Sequence, residues 1–114
     1  NTPLQALTLL NDPAFLEIAR HLAQRIVDLP EIADDRQRMA QAFQLVVSRR
    51  ASTGELDTLL EFYRTELARF QANPKVTSEV LGATTVTGPE KPQLAAWLSI
   101  ANVLLNLDET ITKG

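Results

Sequence analysis

Residues 92–107 read PQLAAWLSIANVLLNL. Apolar side chains stand at Leu94, Ala95, Ala96, Trp97, Leu98, Ile100, Ala101, Val103, Leu104, Leu105 and Leu107, which leaves a helix here no broad polar face. A surface helix confines its apolar residues to one stripe, whereas a helix that is apolar nearly all round belongs inside a larger body. Ser99, Asn102 and Asn106 interrupt the run, which also falls short of the roughly 20 apolar residues that a membrane span requires. The stretch therefore predicts the central helix of an all-α bundle, and the rest of the chain should supply what surrounds it.

Working outward, the neighbouring segments carry amphipathic patterns and helix-end signals. Ser52-Thr53-Gly54-Glu55 has the form of a capping box, in which serine and glutamate satisfy each other's backbone N–H groups. Behind it Leu56, Leu59, Leu60, Tyr63, Leu67 and Phe70 recur at helical spacing, up to a stop at Asn73-Pro74. Asp57, Glu61, Arg64, Glu66 and Arg69 form the expected exposed side of that helix. An earlier helix, capped by Asp34 or Asp35, presents Met39, Ala42, Phe43, Val46 and Val47. The one before it starts at Asp12-Pro13 and is expected to bury Phe15, Ile18, Ala19, Leu22 and Ile26, with Glu17, Arg20, His21, Gln24 and Asp28 facing water. Thr2-Pro3 opens a first, short and greasy helix with Leu4, Ala6, Leu7, Leu9 and Leu10. Residues 74–92, PKVTSEVLGATTVTGPEKP, are crowded with proline and glycine and read as a long loop with one helical turn near Ser78–Leu81. The expectation is one domain over residues 1–114, a compact all-α bundle of about five helices. Its first and last helices form the hydrophobic centre, and a long loop precedes the buried C-terminal helix.

Composition narrows the function. The formal net charge is −3 and there is no cysteine. Thiol catalysis, disulfides and haem attachment through Cys-x-x-Cys-His are thereby excluded within this chain. An acidic balance also argues against binding nucleic acid or an anionic membrane. The N-terminus shows no basic region followed by an apolar run, and Asn1 is no initiator methionine, so a piece of a longer protein is expected.

Most of the candidate polar residues have ordinary structural roles. The single histidine, His21, lies on a polar face beside Glu17 and lacks the partners of a base or a metal site. Glu31, Asp34 and Asp35 cluster without the spaced ligands and glycine of a calcium loop, so helix capping is the better reading. Asp108-Glu109 are chain neighbours that do not converge on a point. Arg49-Arg50 before a capped helix suggests helix-turn-helix, but Asp57, Glu61 and Glu66 would repel phosphates there. The more informative feature is Ser99, Asn102 and Asn106, spaced by three and four on the buried helix. Buried amides need hydrogen-bond partners, and the backbone freed at Asn11-Asp12 would supply them. This arrangement is a polar latch between the first and last helices or, as the rival reading, the lining of a small polar pocket.

Two segments, TPLQALTLLNDPAFLEIARHLAQRI at the start and LAAWLSIANVLLNLDETITK at the end, together resemble the C-terminal part of a bacterial family called domain of unknown function 1553. The middle, RQRMAQAFQLVVSRRASTGELDTLLEFY, is similar to the same family, so the resemblance leaves out only residues 74–92. The family is abundant in planctomycetes and belongs to large cytochrome-associated proteins. The resemblance implies an exported, periplasmic or otherwise extracytoplasmic parent with haem c in an upstream domain and no cofactor or metal in this segment. It implies partners in the neighbouring domains of that parent, with neither nucleic acid nor a membrane span, and leaves the oligomeric state open. The function so implied is a non-catalytic structural or interaction module. The alternative is a wall contributed to a redox or polysaccharide-degrading site completed upstream, with Gln5, Asn11, Asp12, Asn102 and Asn106 as the residues involved.

Overall fold

Caps and prolines set the helix ends in the computed structural model, which describes residues 13–82 and 90–108. Helix α1 is Pro13–Val27, α2 Asp35–Val47, α3 Thr53–Ala72, α4 Pro74–Leu81 and α5 Lys91–Leu107. No strand occurs among the described residues. At the end of α1, Arg38 Nη1 donates to the carbonyls of Ile26 (2.6 Å) and Val27 (3.0 Å), where cationic donors complement the helix dipole. Asp34 proves to be the cap of α2, its Oδ1 accepting from the Gln37 backbone N–H at 2.8 Å. Ser48, in the left-handed conformation at φ 66°, closes that helix. The capping box at α3 forms as expected: Ser52 N–H donates to Glu55 Oε1 at 2.8 Å and Glu55 N–H to Ser52 Oγ at 3.1 Å.

One expectation is corrected. Residues 74–81 are helix rather than loop. Pro74 occupies the first turn, where a missing N–H costs nothing. The buried Thr77 Oγ1 lies 2.7 Å from the Phe70 carbonyl and 3.0 Å from that of Asn73, tying α4 back to the end of α3. Val76, Thr77, Val80 and Leu81 form the inward side, a helical spacing within a stretch dominated by breakers. Gly82 then ends the helix at φ 65°, a backbone region in which side chains are strained. Across the fold, Arg20 Nε donates to the Val80 carbonyl at 2.9 Å, and its guanidinium lies so close to Gly82 that an added Cβ would stand 2.8 Å from it. The expected first helix with its Thr2 cap, and Asp12, the expected cap of the next helix, lie outside the described residues, as does the remainder of the loop at 83–89. The five described helices thus include α4 in addition to the expected last four.

The last helix is central. Every residue from Leu94 to Leu105 is buried, and α1, α2, α3 and α4 all pack on α5, α1 and α3 most extensively. On α1 the fully buried residues are Ala19, Ala23 and Ile26, while Phe15 and Leu22 are half-buried and Ile18, expected inside, is exposed. Small residues at 19 and 23 let the α1 backbone approach α5 closely, which moves the contact stripe off Ile18.

Candidate functional site

The polar stripe of α5 leads to the first cluster. Ser99 is fully buried, and its Oγ donates to Glu66 Oε1 on α3 at 2.8 Å. Arg69, one turn on, grips the same carboxylate with Nη2 at 2.9 Å and Nε at 3.1 Å. That bidentate pair raises the guanidinium pKa above its ordinary value, and the Arg69 guanidinium also lies over the Phe70 ring at 4.4 Å. Glu66, expected at the surface, is buried. The missed signal was its position: 66 falls three after Tyr63 and four before Phe70, on the apolar stripe. A serine with no exposure cannot attack a substrate, and the Glu66 carboxylate is already engaged by a hydroxyl and a guanidinium. This cluster fastens α3 to α5.

The other predicted residues separate. Asn102 is fully buried, while Asn106 is half-buried and turns back along its own helix, Nδ2 donating to the Asn102 carbonyl at 2.9 Å. Among the described residues the partner of Ser99 is Glu66. Gln5, Asn11 and Asp12 lie outside the described residues. His21 is exposed, with Nε2 3.2 Å from Glu17 Oε1. Among the described residues no three His, Cys, Asp or Glu side chains gather as a metal-holding group. No helix among them is long and apolar enough to cross a membrane.

A second cluster stands at the α2–α3 corner. Arg49 Nη1 and Nη2 bind Glu55 Oε1 and Oε2 at 3.0 Å and 2.9 Å, on the carboxylate already engaged in the capping box. The Arg49 hydrogen bonds and then the Ser52 N–H hold the Glu55 carboxyl down at about 2. Nearby, Arg36 Nη1 donates to Asp57 Oδ1 at 2.8 Å. Arg49 and Arg36 are therefore aimed at carboxylates of their own chain.

The third arrangement is concave. A cavity of about 360 Å³ opens among α1, α2, α3 and α5. Tyr63 and Trp97 line it, their ring centroids 4.6 Å apart and tilted by 37°. Burial pushes the Tyr63 phenol up to about 12 and the nearby Asp35 charge adds to this, while the Trp97 N–H and the Arg38 charge oppose it. Val27, Leu67 and Leu94 complete the apolar surface. Gln24, Asp28, Asp35, Arg38, Glu90 and Gln93 supply the polar part. These groups are far apart in sequence, and no local motif joins them.

Against known families, residues 1–63 match a model described as PSD1, protein of unknown function (DUF1553). No curated protein and no solved structure matches the chain.

Proposed function

We propose, from the premise that this chain belongs to the PSD1 family of proteins of unknown function (DUF1553), that it is a non-catalytic helical module that packs against neighbouring domains of a larger parent protein. The observation that carries this reading is how its buried polar groups are used: Glu66 and Ser99 join α3 to α5, and Arg69 holds the Glu66 carboxylate from within α3. The arginines at positions 20 and 38 are likewise committed to closing helix ends. The family resemblance supplies the wider setting of a bacterial, exported, cytochrome c-associated parent at whose C-terminus this module sits. Burial of Asn102 favours a packing role for the polar stripe over a wall facing substrate.

Three experiments test this. The coding sequence upstream of Asn1 should specify an export signal and a Cys-x-x-Cys-His motif, and their absence would overturn the exported, haem-associated setting. In the full-length parent, deletion of this segment should lower the unfolding midpoint of the upstream domains by removing a partner surface. An unchanged midpoint would overturn the packing role. Asn102→Ala and Asn106→Ala should cost stability and leave parent activity per folded molecule intact; activity lost at wild-type stability would favour the active-site wall instead.

A further inference from the structure

The cavity among α1, α2, α3 and α5 has no part in that packing role. We propose that it binds a compact organic cation, an ammonium or guanidinium head on a short apolar stem. Its volume of about 360 Å³ lies at the small end of ligand sites, which span roughly 300–1,000 Å³. The apolar side chains of Val27, Leu67 and Leu94 and the Tyr63–Trp97 pair would take the stem. The charged residues favour a cation: Asp28, Asp35 and Glu90 stand against Arg38 alone, three negative charges against one positive. Arg38 is also partly spent, since its Nη1 donates to both terminal carbonyls of α1. Gln24 Nε2 donates to the Asp28 carboxylate at 3.1 Å and 3.2 Å, which leaves the Gln24 carbonyl oxygen to accept from a ligand. The field of Asp35 reaches the cavity wall, where it helps to raise the Tyr63 phenol.

Two other ligand classes fit less well. An anion would meet the excess of carboxylates. A sugar stacking on an aromatic platform needs a broad exposed ring face, and Tyr63 and Trp97 are only 3% and 2% exposed. A cation is attracted by the carboxylates at the cavity, and such attraction grows as water is excluded.

Trp97 is the only tryptophan of the chain and lines the cavity, so its fluorescence reports occupancy directly. The chain is titrated at low salt with n-butylammonium, and in parallel with 1-butanol and butyrate as neutral and anionic counterparts. A saturable change with butylammonium alone is expected. Asp35→Asn should weaken it by about tenfold, and Asp28→Asn should weaken it too, roughly the effect of losing one nearby charge. Both positions are exposed, so both variants should keep the wild-type unfolding midpoint. A short lysine-containing peptide separates the sources of the cation: tighter binding than butylammonium assigns the site to a partner's side chain, and equal or weaker binding to a free amine. An equal response to 1-butanol, no saturation with butylammonium up to about 100 mM (weaker than any affinity worth roughly 1–2 kcal/mol), or indifference to both substitutions would overturn the proposal.

Discussion

The chain uses one chemical arrangement twice. At Glu66 a carboxylate accepts from a serine hydroxyl and two guanidinium N–H groups of Arg69. At Glu55 a carboxylate accepts from a serine backbone N–H and two guanidinium N–H groups of Arg49. The Glu66 side chain is 5% exposed and that of Glu55 is 35% exposed. One arrangement spans two helices through the core, and the other closes a corner within a few residues of chain. Bond lengths hardly differ between them, so the contrast isolates what water does to an ion pair. In the core, a group left without its partner finds no solvent to replace it, while at the surface water takes over.

This contrast can be tested as a graded series of unfolding midpoints in denaturant. Arg69→Met should cost the most, about 3 kcal/mol, because it leaves the buried Glu66 carboxylate uncompensated. Ser99→Ala should cost about 2 kcal/mol, the range for a lost hydrogen bond to a charged group. Combined with Glu66→Ala in a double-mutant cycle, it should show clear coupling, since the two side chains are in direct contact. Ser52→Ala should cost about 1 kcal/mol, the usual worth of a helix cap; a cost equal to that of Ser99→Ala would break the comparison. Glu55 adds a pH signature. Its folded carboxyl titrates near 2 against an ordinary 4.5, so the native state binds fewer protons than the unfolded chain. The resulting stability is present above about 4.5 and is lost as pH falls towards 2, and Glu55→Gln should flatten that limb of the acid titration. The smallest effect belongs to Glu17, 60% exposed beside Arg20 and His21. Glu17→Ala should stay within about 0.5 kcal/mol, as exposed pairs do.

Much of this architecture was legible in advance, for identifiable reasons. Helices α1, α2, α3 and α5 announce themselves through apolar spacing joined to end signals such as Asp34, Ser52 with Glu55, and Pro92. The apolar character of 94–105 on nearly every side, interrupted only by Ser99 and Asn102, gave away the central helix. Helix α4 was hidden because Pro74 and Gly82, breakers by composition, here serve as its two ends, and only eight residues lie inside it. Ile18 was misplaced because a size-blind pattern favours isoleucine over Ala23, whereas close packing favours the smaller residue. The buried status of Ser99 could be read from its helix, but its partner could not. Nothing local links position 99 to Glu66, and pairing across that separation is set by how α3 lies on α5. The cavity is similarly tertiary: Asp35, Tyr63, Glu90 and Trp97 come from three helices and a helix end.

The enclosure of α5 also bears on how the molecule is made. A ribosome delivers chain in order, so α1 to α4 emerge before the helix that all four pack against. Until residues 94–105 leave the exit tunnel, the emerged helices have apolar faces and no common surface on which to bury them. Folding of this module is thus a late event on the nascent chain, and its early portion is the part that a chaperone would hold.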